Sequence, residues 1–337
     1  MTGIVVTSKN GKVGIETAIE VLRAGGTALD AVVAGTRLVE ANPDDHSVGY
    51  SGLPNLLGEV ELDASLMEGK GLRAGSVGAL KGYQDAIDLA RTVMDELPHV
   101  LIGGEGAARL AHETGLQPKE LLTPEAEAVW RKRLGNEAND GEGRPSRRYL
   151  ARIREIVAST ASDPELADDD NEPPHGTVNF LARDRNGDFA AAVSTSGWAW
   201  KYPGRMGDSP IIGAGNYADN RWGAAACTGR GEMAQRCCTA HSVVTFMRFG
   251  LSLEAALAMA MSDLAHLDDP FASGMNIVAL DRDGNPGAAS TNEGKTFIVM
   301  TEAMSEPDER PRMVVPLDGV SKSTLNRHRP SASEPNS

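Results

Sequence analysis

His175-Gly176-Thr177-Val178-Asn179-Phe180-Leu181-Ala182 is the stretch that decides how this chain is read. Before it, residues 135–148 and 163–172 are polar, charged and rich in Gly and Pro, as a solvated linker is. From Thr177 onward Val178, Phe180 and Ala182 alternate as in a strand. Phe189–Val193 reads as its partner, and Asn186-Gly187 between them predicts a type I′ turn. A strand that starts on a threonine directly after a linker raises a chemical question, because a threonine hydroxyl is a poor nucleophile until a base takes its proton. If the bond before Thr177 is cut, the new α-amine lies within reach of that hydroxyl and is partly neutral near neutral pH. The pair is then nucleophile and base in one residue. Gly176, with no Cβ, can adopt the strained backbone that attack on its own carbonyl requires. A Gly-Thr dipeptide alone fits an ordinary strand start equally well, so the surrounding sequence carries the weight.

Upstream, Ile4–Thr7 reads as a short strand. A helix follows from Lys12 on the apolar set Ile15, Ala18, Ile19 and Leu22, stopped by Gly25-Gly26. A second helix spans Thr27–Glu40. Leu62, Ala64 and Leu66 alternate with Glu61, Asp63 and Ser65 in a strand over Val60–Met67, and a helix fits Gln84–Leu97. Thr123-Pro124 is an N-cap and first-turn proline for one more helix. Downstream, helices are expected over Ala240–Phe249 and over Leu253–Leu264, the latter capped by Ser252. A hairpin follows around Asp283-Gly284, then a strand over Thr296–Met300. The expected organisation is a first core over 1–122, a linker over 123–176, a second core over 177–320 and a tail over 321–337, all within one domain.

Composition narrows the partners. The chain has 337 residues, 41% of them hydrophobic, and a formal net charge of −14. It can bury a sizeable core, and its acidity gives no footing for binding to a phosphate backbone, so nucleic acid is not an expected partner. The N-terminus lacks the basic and apolar regions of a signal peptide, and no segment has the length of apolar sequence that a membrane span needs. Cys227, Cys237 and Cys238 form neither a disulfide framework nor a zinc motif. A reducing, cytoplasmic setting is expected. The seven histidines show no metal spacing, and the expectation is that no metal or organic cofactor is used.

The order of motifs after Thr177 is distinctive. Ser194-Thr195-Ser196-Gly197 is followed by Pro203-Gly204-Arg205-Met206-Gly207-Asp208-Ser209-Pro210 and Gly213-Ala214-Gly215-Asn216-Tyr217-Ala218. Ala225-Ala226-Cys227-Thr228-Gly229-Arg230-Gly231-Glu232 comes next. Together with Ala24–Val32, Ser47–Pro54 and Leu62–Met67, this series resembles the glycosylasparaginase and plant-type asparaginase family of N-terminal-nucleophile hydrolases. The resemblance runs from about residue 12 to residue 301 apart from the linker. It implies an α+β fold, a four-layer αββα sandwich, and a homodimer of αβ units made by cutting between Gly176 and Thr177. It also implies roles. Thr177 is the nucleophile and base, and Thr195 tunes it. Arg205 grips the substrate α-carboxylate and Asp208 its α-ammonium. Thr228 and Gly229 form the oxyanion hole, and Ser47 shapes the pocket. The implied substrate is a small asparagine-type amide. The expected reaction converts N4-(β-N-acetylglucosaminyl)-L-asparagine to aspartate and the sugar amine. The alternative is an asparaginase or β-aspartyl peptidase, and a remoter one is a non-catalytic binder with the same fold.

Two departures bear on the leaving group. Members with the glycan-linked substrate usually carry Asp before the nucleophile, whereas Gly176 stands here, as in plant-type asparaginases. No tryptophan is present near Val6–Asn10. Gly213-x-Gly215-x-x-Ala218 and Gly229-x-Gly231-x-x-Ala234 also fit a loose dinucleotide fingerprint, which needs a strand–turn–helix setting inside a parallel βαβ unit. Taken singly, Arg205 and Asp208 fit a surface ion pair in a turn, Thr195 fits an ordinary strand threonine, and His175 fits a solvated linker residue.

Overall fold

The computed structural model describes residues 1–134 and 176–317. Their strands form two sheets. The larger has eight strands in the order β12-β11-β1-β5-β6-β2-β3-β4, and the smaller has five, β13-β10-β9-β8-β7. In the larger, β1 (Ile4–Ser8), β5 (Val178–Arg183), β6 (Phe189–Thr195) and β2 (Leu62–Glu68) are central and antiparallel. Beyond β2 lie β3 (Ala74–Leu80) and β4 (Leu101–Gly103), and on the other side of β1 lie β11 (Thr296–Thr301) and β12 (Asp308–Pro311). The smaller sheet holds β7 (Asn216–Asp219), β8 (Gly223–Gly229), β9 (Met275–Asp281), β10 (Pro286–Ser290) and β13 (Met313–Val314).

Strand periodicity explains the layering. On β5 and β6 the even-numbered Val178, Phe180, Ala182, Ala190 and Ala192 pack with α1 (Lys12–Arg23), α2 (Ala28–Glu40) and α3 (Ala86–Glu96). The odd-numbered Leu181, Phe189, Ala191 and Val193 pack against Ala224, Ala226, Val278 and Leu280 of the other sheet. That sheet buries its far face, Ala225, Cys227, Ile277 and Ala279, under α7 (Thr239–Arg248) and α8 (Leu253–Ala265). The result is the αββα sandwich of N-terminal-nucleophile hydrolases. It also places the polar residues that alternate with the apolar ones along β2. Glu61, Asp63 and Ser65 do not face water, because that side of the strand faces the second sheet, and all three are buried.

The expected helices and the expected cap at Ser252 are present, and α2 carries a cap that the sequence reading did not name. Thr27 and Asp30 form a reciprocal capping box on α2, and Ser252 caps α8 through the Ala255 N–H. The turn at Asn186-Gly187 is not type I′. Asn186 does not have a positive φ, Gly187 does, and Gly187 N–H donates to Asp184 O while Asp184 N–H donates to Asp188 O. This is a three-residue connection with glycine in the left-handed position. Elements that the periodicity does not reveal include β3, β4, β7, β8, β12, β13, α4 (Glu105–Glu113) and α6 (Gly231–Cys237).

The expected linker over 123–176 opens with a packed helix, α5 (Pro124–Leu134), capped by Thr123 Oγ1 accepting from Ala126 N–H. Residues 135–175 of that linker, and the tail, lie outside the described residues. Ala126, Trp130 and Leu134 form a small core with Leu53, Leu56, Ala199 and Trp200, so α5 rests on loops that flank the site. Trp130→Ala is expected to cost about 3–5 kcal/mol locally. Hydrogen exchange should show lost protection in 124–134 while β5 and β6 stay protected; unchanged protection in α5 would contradict that packing. Among the described residues no helix is long and apolar enough to cross a membrane.

Candidate active site

Thr177 sits at the head of β5, in the middle of the larger sheet. The β5–β6 register pairs Val178 with Ser194, so Thr177 lies beside Thr195. The two threonines share a cleft with Gly176, Arg205, Asp208 and Gly229, as expected from sequence, and with Trp198 and Ser209, which were not. Thr177 is 8% exposed. Thr195 Oγ1 donates to the carbonyl oxygen of Gly176 at 2.7 Å and accepts from Gly197 N–H at 2.9 Å. The Thr195 hydroxyl is thus directed at the carbonyl that an attack by Thr177 would convert to an oxyanion. Thr195 is not an ordinary strand threonine.

Gly176 is held tightly. A Cβ there would lie 2.1 Å from Ser47 Oγ and 2.4 Å from Ser47 Cβ. Ser47 therefore touches the Gly176–Thr177 junction rather than lining the cleft, and it is fixed by its own hydroxyl and N–H donating to Asp45 Oδ1. Thr228, at the end of β8, is buried beside Gly229 and is not a cleft-lining residue; Gly229 is.

The loop that carries Arg205 and Asp208 is anchored by β2. Asp63 Oδ1 accepts from Ala79 N–H at 2.8 Å and Oδ2 from Gly207 N–H at 3.4 Å. Ser65 Oγ donates to Ser209 O and accepts from Asn216 Nδ2. Arg205 and Asp208 are not a surface ion pair. Arg205 makes a two-pronged contact with Glu232, Nε to Oε1 at 2.9 Å and Nη2 to Oε2 at 2.8 Å. Arg230 also approaches Glu232, at 3.1 Å, and stacks over Trp198 at 4.3 Å. Glu232, Asp63 and Ser65 are site-forming residues that the motif reading quoted but did not assign. An acid that neutralises an arginine from a distant element leaves no local sequence signal.

Asp208 is 4% exposed, and among the described residues nothing donates to its Oδ2. Burial raises its pKa to about 7, opposed by the nearby Arg205 guanidinium. An acid in this state favours a cationic partner, which would restore the charge balance that burial disturbs. Arg205 and Asp208 thus place a guanidinium and a carboxyl group together at the cleft that holds Thr177.

The second dinucleotide-like match does lie between β8 and α6. However, β8 pairs antiparallel with β9, so no parallel βαβ unit surrounds it. Among the described residues no three His, Cys, Asp or Glu side chains gather as a metal site would need. His175 lies outside the described residues.

Comparison with known proteins agrees with this architecture. The model of the family described as Asparaginase matches residues 4–307. The N(4)-(β-N-acetylglucosaminyl)-L-asparaginase of Elizabethkingia miricola is 35% identical over 285 residues, covering 83% of this chain and 76% of that protein. The plant-type L-asparaginase of Pyrococcus furiosus is 35% identical over 283 residues, 84% of this chain and 86% of that one. The isoaspartyl peptidase of Salmonella typhimurium is 35% identical over 291 residues, 83% of each. With its sandwich fold and a match over nearly its whole described length, the chain belongs to the asparaginase family of amidohydrolases.

Proposed function

We propose that this protein is a self-processing amidohydrolase that uses Thr177 to cleave N4-(β-N-acetylglucosaminyl)-L-asparagine to aspartate and the sugar amine. The observation that carries the reading is the Thr195 hydroxyl on the Gly176 carbonyl, in a cleft that also presents Arg205 and Asp208. In the first stage Thr177 Oγ1 attacks the Gly176 carbonyl, the chain shifts to an ester, and water releases 1–176 from 177–337. In the second, the freed α-amine takes the Thr177 hydroxyl proton and the oxygen attacks the substrate's side-chain amide. Arg205 holds the α-carboxylate and Asp208 the α-ammonium, while the Gly229 N–H at the cleft receives the oxyanion. The amine leaves, and water frees aspartate from the β-aspartyl ester.

The leaving group is assigned from the 47–67 passage, which anchors the Arg205–Asp208 loop here, and from the similarity to the Elizabethkingia enzyme. A second reading, asparagine or a β-aspartyl peptide as substrate, is favoured by Gly176 and by the similarity to the Salmonella peptidase. Values of kcat/KM for the sugar-linked asparagine, asparagine and a β-aspartyl dipeptide separate them. The highest value is expected for the sugar-linked substrate. Faster turnover of the dipeptide by an order of magnitude would replace the first reading by the second, and no turnover of any would leave a binding protein. A dimer of αβ units and a cytoplasmic setting belong to the same proposal, the latter supported by three free thiols.

A further inference from the structure

Lys201 has no part in the chemistry above, yet it is buried to 2% exposure beneath the cleft. Its ammonium donates to Ser196 O at 3.0 Å and to Glu61 O at 3.0 Å. Ser196 O belongs to the same peptide group as Gly197 N–H, and that N–H donates to Thr195 Oγ1 at 2.9 Å. Thr195 Oγ1 in turn donates to Gly176 O at 2.7 Å. The bonds run in one direction: ammonium, peptide carbonyl, peptide N–H, hydroxyl, carbonyl at the cut. Its alternative acceptor, Ser47 O, is farther, at 3.5 Å.

We propose that Lys201 is a positioning residue for Thr195, its buried charge polarising the Ser196–Gly197 peptide so that the Thr195 hydroxyl becomes a fixed, strong donor to the Gly176 carbonyl. The inference rests on the reading that the Gly176–Thr177 bond cleaves itself. A cation on a peptide oxygen draws electron density from the amide nitrogen and strengthens its N–H as a donor. A hydroxyl that accepts a stronger bond also donates a stronger one. In water this relay would be worth little, but here the ammonium is screened only by protein. Burial pulls the Lys201 pKa down, and the carboxylates of Asp63 and Glu61 oppose that pull, with Arg205 and Lys81 acting against them. The relay moves no atoms; it lowers the barrier to forming the C–O bond from Thr177 Oγ1 to Gly176 C, the step in which negative charge builds on Gly176 O.

The test is the rate of self-cleavage of freshly made full-length chain, followed by denatured mass, in a double-mutant cycle of Lys201→Met and Thr195→Ala. Lys201→Gln, which keeps an N–H donor but no charge, is a second single variant. Folding of each is checked on the uncut Thr177→Ala background by thermal melting. Lys201→Met and Lys201→Gln are each expected to slow cleavage by about 10- to 100-fold, and Lys201→Met should add little once Thr195 is alanine. Cleavage by a folded Lys201→Gln at the wild-type rate overturns the role of the charge. An equal slowing by Lys201→Met with and without Thr195 overturns the relay and leaves a structural lysine. A wild-type chain that never cleaves would instead remove the self-processing reading itself.

Discussion

Thr177→Ala is expected to yield a single uncut chain of full mass with no amidohydrolase activity, while the wild type yields two fragments that break between Gly176 and Thr177. The effect should be complete because the substitution removes one oxygen used twice, once on the chain's own carbonyl and once on substrate. The geometry makes this specific. Thr177 is nearly buried at the end of a central strand, the acceptor carbonyl already receives the Thr195 hydroxyl, and Ser47 fills the space a side chain at 176 would need. Thr177→Ser should still cleave, since it retains the hydroxyl. Intact mass under denaturing conditions checks both. Two fragments from the alanine variant would assign the cut to another agent, and an uncut wild type after days at neutral pH would leave Thr177 with no free amine.

The second large effect is expected from Asp208→Asn. Removing the acid should lower kcat/KM for any substrate with an α-ammonium by at least about 100-fold, the scale for losing one member of a buried charge pair. The same change should stabilise the protein at alkaline pH. The Asp208 pKa stands near 7 in the fold, above its ordinary value of 3.8, because burial penalises the charged form. The folded state therefore binds the proton more tightly than the unfolded state. Stability attributable to this group is fully present below about pH 4 and is lost as pH rises through about 7. The difference is on the order of 4 kcal/mol at most. Melting curves of wild type and Asp208→Asn should coincide below about pH 4, separate as pH rises from about 4 to about 7, and keep a constant gap above that, with the variant higher. For the wild type, kcat/KM should fall as pH drops below about 7, when Asp208 is protonated in the free enzyme. A variant that melts lower at pH 8 would mean that Asp208 is stabilised by partners other than the substrate it awaits.

Several elements were legible from local pattern. The helices α1, α2, α7 and α8, the two hairpin strands after Thr177 and the cap at Ser252 lie where periodicity and capping chemistry put them. Those signals depend on neighbours within a few residues. The strands β7 and β8 were not read as strands: Ala and Gly dominate β8 and give no apolar alternation, and β7, Asn216–Asp219, is too short to show a period. Asn186-Gly187 marked a turn but not its type, which is set by how the flanking strands pair. The alternation on β2 marked a strand but not what its polar side meets, and that side supplies Asp63 and Ser65 to anchor the loop of Arg205 and Asp208.

The sequence by itself determined the junction at Gly176-Thr177, the ordered motifs that place this chain in its family, and the residue types available to the cleft. Chemical identity and spacing along the chain are local properties, so one dimension suffices to read them. Only the tertiary structure decided that Thr195 reaches the Gly176 carbonyl, that Glu232 engages Arg205, that Asp208 is buried with one oxygen unpaired among the described residues, and that Lys201 lies behind Thr195. Each of these depends on groups brought together by two sheets packing face to face. Burial then turns ordinary side chains into charged or neutral partners according to what surrounds them.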